Sequence, residues 1–355
     1  MRYWKLLTGI IFVIILTSSI GLDKKKYPSI HKKLKFLGML DSSSIRYPNK
    51  VKPSKAEIDL GKQLFFEKRI SKNMNLSCAT CHIPEKGYSN GIAFAKGTHG
   101  VELTRHVPSI YNLNWKKNYF WDGRAINLKD QLEKVLKNEA EMDLPIDSVV
   151  QRLKAIPDYV SKFKQVFPKK GLHKSTFTKA MLSFESSILS YGSRFDKFYA
   201  GDTAVFNKQE IDGLELFLGK ANCISCHKGA NFSNEEFHNV GVITDDLGRQ
   251  KIDRIGGKKE FEMTPYPFFA TYKAFKTPSL RNVEFSAPYF HNGSEATLED
   301  VIDFYNRGGR NKDRTGVAKE IKPLGLTYDE RQAIVAFLKT LTSQQNNETE
   351  QSKDY

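Results

Sequence analysis

The sequence predicts a mainly α-helical protein built from two similar units. Helical hydrophobic periodicity is visible over residues 128–136, 149–167 and 177–189, whereas the alternating pattern of strands is scarce. A Gly-x-x-Leu-Phe segment occurs twice, at Gly61 and at Gly213, and each copy precedes a pair of cysteines. Recurrence of the same segment before the same cysteine spacing indicates a duplicated unit, with long loops and little strand.

Capping patterns mark the starts of the repeated helices. Ser54 is followed by Glu57, and Asn207 by Glu210, the spacing at which side chains and backbone exchange hydrogen bonds in a first turn. Near the C-terminus Thr327-x-x-Glu330 opens a third helix, whose apolar residues recur at helical spacing: Ile334, Phe337, Leu338 and Leu341. Each repeated glycine is expected to allow close approach of another helix or of a bound group.

Composition divides the chain into segments. Residues 1–21 carry Arg2 and Lys5 before an apolar run, the layout of a secretory signal peptide, although an uncleaved membrane anchor is an alternative because no A-x-A site is visible. The remaining segments are a basic linker (22–49), an N-terminal domain (50–200), a C-terminal domain (201–342) and a polar tail expected to be disordered (343–355). The sequence therefore predicts an exported protein.

The formal net charge of +15 does not by itself indicate a nucleic-acid partner. Lysine and arginine are spread along the chain, and no recognition motif accompanies them. The densest basic run lies in the linker, where it could be attracted to anionic lipid. The length of 355 residues suits about two domains of ordinary size.

All four cysteines lie in two copies of one motif, Cys78-Ala79-Thr80-Cys81-His82 and Cys223-Ile224-Ser225-Cys226-His227. In a C-x-x-C-H motif the two thiols attach haem covalently and the histidine becomes the proximal iron ligand. A redox dithiol would not need a histidine after both copies. Zinc ribbons place their cysteine pairs about 15 to 20 residues apart, not 145 as here. The motifs therefore predict two c-type haems, with His82 and His227 as iron ligands.

Further motifs follow in a fixed order: Phe120-Trp121-Asp122-Gly123-Arg124-Ala125, Phe237-His238-Asn239-Val240-Gly241, Pro278-Ser279-Leu280-Arg281-Asn282 and Ala287-Pro288-Tyr289-Phe290-His291-Asn292-Gly293. Together with the cysteine motifs they are similar to the bacterial di-haem cytochrome c peroxidase and MauG family, over about residues 50 to 342. The resemblance implies two cytochrome-c-like α domains with one haem in each. It also implies that the N-terminal haem meets peroxide and the C-terminal haem handles electrons.

The resemblance assigns three residues to catalysis. Trp121 matches the tryptophan that lies between the two haems. Glu141 matches the acid–base group that moves a proton between the peroxide oxygens, and Gln131 matches its polar neighbour. Without the resemblance, Glu141 and Gln131 would be ordinary surface residues and Trp121 a core residue.

For the distal iron ligands, the resemblance implies different residues at the two haems. His99 lies near the loop that supplies a sixth ligand to the first haem in some members, and an exposed loop residue is the alternative. At the position of the usual methionine ligand of the second haem this sequence has Tyr305, as MauG does. A phenolate oxygen favours oxidised iron, whereas a thioether raises the potential. Met263 is the alternative ligand.

The resemblance also implies a calcium ion between the haems. The carbonyls of Ser286 and Pro288 match two of its ligands, but His106 stands where the family has an asparagine. Calcium prefers oxygen donors, so this substitution puts the site in doubt, and a rearranged site with water or Asn112 is an alternative.

These observations predict a di-haem peroxidase that reduces hydrogen peroxide with electrons from a small redox protein, such as a cytochrome c or a cupredoxin. Peroxide-dependent oxidation of a protein substrate, as in MauG, is the second hypothesis, and a non-catalytic electron carrier is the third. The expected location is the periplasm or outside the cell. A membrane tether through the N-terminal segment and a homodimer are alternatives to a free monomer.

Overall fold

The computed structural model describes residues 28–40, 45, 47, 51–255 and 271–343, and these form a mostly helical fold with little strand, as predicted. The α-helices in this part of the chain are α1 (Pro28–Leu34), α2 (Lys55–Phe65), α3 (Cys78–Cys81), α4 (Leu128–Lys137), α5 (Ile146–Lys154), α6 (Pro157–Val166), α7 (Lys174–Glu185), α8 (Arg194–Tyr199), α9 (Lys208–Leu218), α10 (Arg249–Ile255), α11 (Leu298–Asn306) and α12 (Tyr328–Lys339). Within the described residues, two short strands, β1 (Phe237–His238) and β2 (Phe275–Lys276), form one antiparallel pair.

The predicted helix starts are confirmed. Ser54, Asn207 and Thr327 each form a capping box. The side chain of the capping residue accepts from the backbone N–H of a glutamate three residues later, and that glutamate's side chain accepts from the backbone N–H of the capping residue. The periodic segment 149–167 is two helices, α5 and α6, because Pro157 cannot continue α5 and instead occupies the first turn of α6.

Two helix pairs, each containing one of the repeated glycines, form the centres of two hydrophobic cores. α2 packs against α7 at Gly61, where an added Cβ would lie 2.0 Å from the Ala180 carbonyl oxygen. α9 packs against α12 at Gly213, where a Cβ would lie 1.9 Å from the Ala333 carbonyl oxygen. The predicted role of the glycines in close helix approach is therefore confirmed, and the partner in both cases is a helix.

A second repeat, with a spacing of 170 residues, becomes visible in the structure. α4 begins at Leu128 and α11 at Leu298, and the loop before each contains the same Tyr-Phe-x-x-Gly pattern. In these loops Phe120 and Phe290 share the left-handed conformation, with φ of 65° and 66°. Two loop–helix units thus have the same local geometry, one in each half of the chain.

The first core extends from Leu60 to Ile188, and the second comprises residues between Phe195 and Leu341 together with three residues of the N-terminal segment. The predicted boundary at residue 200 is therefore too late, because Phe195 and Phe198 of α8 pack in the second core. A buried ion pair fixes this helix: Asp196 accepts from Arg281 at 2.5 and 2.8 Å.

The prediction of a linker over residues 22–49 is wrong for residues 28–40. Ile30, Leu34 and Leu37 are buried in the second core. The backbone N–H of Gly229 donates to the Phe36 carbonyl oxygen at 2.8 Å. The lysines hid this signal, because the apolar residues of α1 occupy only one face of a short helix.

The predicted signal peptide or anchor (1–21) and the tail beyond Ser343 lie outside the described residues. Among the helices that are described, none has the length and apolar character needed to cross a membrane.

Candidate haem and peroxide site

One interior cavity of about 1270 Å³ reaches both C-x-x-C-H motifs. It exceeds the roughly 300–1,000 Å³ of a typical small-molecule site. Its wall includes all four cysteines, both motif histidines and residues of α4 and α11. The cavity therefore has the size and the lining that flat, bulky cofactors attached to both motifs require.

The histidine of each motif is oriented by a backbone carbonyl. His82 Nδ1 lies 2.9 Å from the Tyr88 oxygen, and His227 Nδ1 lies 2.8 Å from the Phe232 oxygen. Both carbonyl residues have left-handed φ, 56° and 51°. Because Nδ1 is bonded to a carbonyl, it carries the proton, and Nε2 is left as the nitrogen with a free lone pair.

Burial also keeps these imidazoles neutral. Desolvation lowers the pKa of His82 and that of His227 to about 4, although their backbone hydrogen bonds act in the opposite direction. A neutral imidazole with its Nε2 lone pair available is the form that binds a metal. Both histidines therefore fit the role of proximal haem ligand.

The four cysteines are free thiols, as covalent haem attachment requires. Desolvation raises the pKa of Cys81 to about 11 and that of Cys223 to about 12, and it raises the pKa of Cys78 and of Cys226 as well. None of the four cysteines has the lowered pKa of the activated thiolate in a redox dithiol. The residues present fit haem attachment.

Trp121 is held from both halves of the chain. Its Nε1 donates to the His106 carbonyl at 2.8 Å, and its own carbonyl accepts from the Lys276 N–H of β2 at 2.8 Å. Arg105 also joins the two halves at their boundary, named the seam here, because it donates to Asp122 at 2.5 Å and to Asp246 of the second half at 2.7 Å. The indole lines the cavity at the junction of the two halves.

Glu141 and Gln131 both line the cavity, as their assigned roles require. Asn138 Nδ2 donates to Glu141 Oε1 at 2.8 Å and so fixes the carboxyl group. Burial raises the pKa of Glu141; the Asn138 hydrogen bond and the nearby Arg124 guanidinium oppose this shift but do not cancel it. A carboxyl with a raised pKa is a stronger proton acceptor than an ordinary carboxylate, as a group that takes up and returns a proton requires.

Tyr305 lies in the last turn of α11 and lines the cavity. Its ring packs edge-on against Phe290 and Phe304. Burial raises the pKa of Tyr305, and the nearby Cys226 and Cys223 act in the same direction. Met263, the alternative ligand, lies outside the described residues.

The structure does not bring His99 to the cavity. Its Nε2 lies 2.9 Å from Asp143 Oδ2, its Nδ1 lies 3.3 Å from Asn73 Nδ2, and the side chain is 42% exposed. Both ring nitrogens have surface partners, so in this structure His99 takes the alternative position of an exposed loop residue.

The proposed calcium donors do not form a calcium site. Ser286 and Pro288 line the cavity, and so does His106, the residue in the asparagine position. His106 Nδ1 lies 2.9 Å from the Ile92 oxygen, and the ring also interacts with the Ser286 carbonyl. The His106 ring is thus hydrogen-bonded to the Ser286 carbonyl, one of the two oxygens proposed as calcium ligands, and it brings a nitrogen where calcium prefers oxygen.

Asn112 offers no replacement for the calcium ligand. Its Oδ1 accepts from the Ser190 N–H at 2.8 Å, and its Nδ2 donates to the Ser190 carbonyl at 2.9 Å. The expectation of calcium at these residues is therefore not supported by their chemistry.

The cavity wall also contains ionisable side chains that sequence reasoning missed. Glu185 of α7 lines it, one carboxyl oxygen has no hydrogen-bond partner, and burial raises its pKa to about 8. Lys116 and Lys276 line it too, and Lys276 forms a buried ion pair with Glu235 at 3.2 Å. Glu185 left a signal in the sequence, since it lies on the apolar helix stripe of Met181, Phe184 and Ile188.

The mostly helical fold and the cavity that reaches both C-x-x-C-H motifs are those of a c-type haem protein. The chain matches the family model for the di-haem cytochrome c peroxidases over residues 55–204. It is 36% identical over 303 residues to the methylamine utilization protein MauG of Methylorubrum extorquens, covering 85% of this chain and 82% of that protein. It is 32% identical over 321 residues to the cytochrome c551 peroxidase of Nitrosomonas europaea, covering 86% of this chain and 89% of that protein.

A solved structure agrees with these relatives. The crystal structure of a MauG-like protein associated with microbial copper homeostasis matches with a TM-score of 0.75 at 29% identity, covering 85% of this chain and 93% of that one. The chain therefore belongs to the di-haem cytochrome c peroxidase and MauG family. Membership makes it a haem oxidoreductase of the peroxidase class and implies covalently bound c-type haems.

Proposed function

We propose that this chain reduces hydrogen peroxide to water, in an exported or periplasmic location, with electrons from a small redox protein. The observation that carries the proposal is the single cavity that contains both C-x-x-C-H motifs, Glu141, Gln131 and Trp121. In this proposal His82 would hold one haem in the first half and His227 the other in the second, and residues of both loop–helix units line the same cavity. A plain electron carrier would not need a buried carboxyl group beside the first haem.

His82 would hold the first haem, and this group would supply the iron at which peroxide is reduced. Glu141 accepts the proton of the near peroxide oxygen and returns it to the far oxygen, so that the far oxygen leaves as water. Asn138 holds the Glu141 carboxyl in place through the 2.8 Å hydrogen bond. Gln131, on the second turn of α4, orients the substrate from the same wall. Reduction of one peroxide to two waters consumes two electrons and two protons.

Trp121 is the proposed electron route between the halves. Its indole lines the cavity at the seam, and its backbone and side chain are bonded to opposite sides of that seam. A rigid aromatic ring in this position shortens each through-space gap for an electron. His82 and His227, oriented by the hydrogen bonds at their Nδ1 atoms, would each hold the iron of one haem.

Tyr305 favours a second candidate function, the MauG-like oxidation of a protein substrate. Here Tyr305 is the proposed distal ligand of the second haem. Burial alone favours the neutral phenol, and a ferric ion at bonding distance is the contact that would favour the phenolate. A hard oxygen ligand stabilises oxidised iron. The second site could then store an oxidising equivalent after peroxide has reacted.

The test is a peroxide titration of the purified two-haem protein, followed by absorption and EPR spectroscopy, with peroxide consumption measured in the presence of hydroquinone. For a peroxidase we expect one open haem that responds to stoichiometric peroxide, and sustained turnover with the donor. A long-lived oxidised state without donor would favour the second candidate. Two haems that do not respond to peroxide would leave only the electron carrier.

A further inference from the structure

A strongly basic loop lies immediately after Tyr305. Residues 307–322, named the basic loop, contain six basic and two acidic residues. All six basic side chains are exposed: Arg307, Arg310, Lys312, Arg314, Lys319 and Lys322. The two acidic residues are Asp313 and Glu320. The peroxide chemistry proposed above uses none of these charges.

Hydrogen bonds hold the basic loop in a fixed shape. Arg314 donates to the carbonyls of Gly308, at 2.6 Å, and of Ile321, which closes the loop on itself. The backbone N–H of Asn311 donates to the Gly241 carbonyl at 2.9 Å, which fastens the loop to the segment after β1. The cationic side chains are therefore presented from an ordered backbone.

The basic loop forms a thin wall over the proposed second haem site. It encloses a surface cavity of about 360 Å³, and two of the residues lining this cavity, Ile321 and Lys322, also line the large interior cavity. Tyr305 lines the interior cavity and precedes the loop by two residues. A molecule bound on the loop would thus be separated from the interior cavity by these two residues.

Part of the positive charge is compensated within the protein, and part is not. Arg310 pairs with Glu295 at 2.7 Å, and Arg307 pairs with Asp303. In contrast, Lys312 and Lys319 form no ion pair with any residue that the structure describes. Exposed, uncompensated cations on a fixed backbone attract an anionic surface and accelerate encounter with it.

We infer that the basic loop is the docking surface for an acidic redox protein, which delivers electrons to the second haem. The inference rests on the proposed function, since it names the chemistry of the electron donor. Positive charge on the loop and a formal net charge of +15 on the chain both favour a partner of negative charge. Because Ile321 and Lys322 line both cavities, an electron from a partner on this face would have a short path into the interior cavity.

The test uses two forms of one electron donor. A mitochondrial-type cytochrome c is basic, and succinylation of its lysines makes it acidic without replacing its haem. Both reduced forms are offered to the haem-loaded, full-length protein with peroxide. We expect kcat/KM to be higher for the succinylated form and to fall as salt is added, because exposed charges are screened beyond about 10 Å at 0.1 M salt.

The variant is Lys312→Glu combined with Lys319→Glu, and the matched control is Lys169→Glu with Lys170→Glu, a pair of exposed lysines after α6 in the first half. For the succinylated donor we expect kcat/KM to fall roughly tenfold at low salt in the loop variant, and to change little in the control. Equal losses in both variants would mean that only total charge matters and would overturn the inference. A preference for unmodified cytochrome would also overturn it.

Two further measurements keep the result interpretable. Hydroquinone is a neutral donor that needs no protein docking, so absence of hydroquinone turnover in the unmodified protein would refute the proposed function itself. Binding of succinylated cytochrome, measured without peroxide, would still report docking. If the loop variant instead loses binding only to vesicles containing anionic lipid, the loop contacts a membrane and the inference is wrong.

Discussion

Val135 and Tyr305 occupy equivalent positions in the two repeated helices, and both line the interior cavity. They are 170 residues apart, each seven residues after the leucine that begins its helix, α4 or α11. Valine has no atom that can bind iron, whereas a tyrosine oxygen can. In the proposed function, the same position would leave the first haem free for peroxide and would offer a ligand to the second. This asymmetry supports the division of roles in the proposed function.

We expect Tyr305→Phe to remove the distal ligand of the second haem and leave a five-coordinate or water-bound iron. Tyr305→Met should raise that haem's reduction potential, since a thioether stabilises the reduced form. EPR spectroscopy and a spectroelectrochemical titration measure both effects. Tyr328→Phe is the control, because Tyr328 is 66% exposed on α12. An unchanged second-haem signal in Tyr305→Phe would identify another ligand, with Met263 the first to test.

We expect Glu141→Gln to reduce peroxide turnover by roughly 10²–10⁴-fold, the usual contribution of a positioned acid–base group. The haem absorption spectra should persist, since glutamine has the same shape. Glu139→Gln provides the control, because Glu139 is an exposed neighbour that does not line the cavity. Near-normal turnover in Glu141→Gln would show that another group moves the proton.

The pH profile of turnover should depend on Asn138. The carboxylate of Glu141 accepts the proton, so turnover falls as pH drops through the pKa of Glu141, which burial raises. Asn138→Asp removes the Nδ2 donor, adds a like charge and keeps the oxygen that accepts from the Ala140 N–H. The acid limb should therefore move to higher pH.

The control for this profile is Asn127→Asp, which adds the same charge at the exposed start of α4. Its acid limb should stay where it is in the unmodified protein. If the two variants have the same profile, the titrating group is not Glu141.

Each chain should carry two covalently bound haems. Pyridine haemochrome quantitation gives the haem content per polypeptide, and intact mass shows whether the haem is covalent. Replacing Cys223 and Cys226 by alanine should leave one covalent haem, on the first motif. A mass that fits fewer than two haems in the unmodified protein would contradict the architecture.

Gly213→Ala should destabilise the second core by about 1–3 kcal/mol, the usual result of overpacking. The added methyl would lie 1.9 Å from the Ala333 carbonyl, so α9 and α12 must move apart. Urea unfolding of the haem-loaded protein measures the change. Gln209→Ala on the exposed face of α9 should be close to neutral.

Local chemistry explains which features were predictable from the sequence. Capping pairs such as Ser54 and Glu57 act within one helical turn, so their spacing alone predicted the helix starts. The two C-x-x-C-H motifs are equally local, because the thiols and the histidine must reach one cofactor. The glycines at 61 and 213 were expected to permit close approach, and the structure supplied the partner helices.

Only the tertiary structure decided how distant residues meet. The sequence brought His99 forward as a candidate iron ligand, but the fold places it at the surface with Asp143. His106 was the substitution that put the calcium site in doubt, and the fold bonds its ring to backbone oxygens beside that site. The linker prediction failed over residues 28–40 because burial of Ile30 and Leu34 depends on a core whose other members begin at Phe195, and a contact between residues so distant in sequence carries no local signal. The sequence by itself determined the cofactor chemistry, because the two cysteines and the histidine that attach a haem lie within five consecutive residues. The fold decided which charges are buried around the cavity and which remain exposed on the basic loop, because desolvation is a property of packing and not of composition.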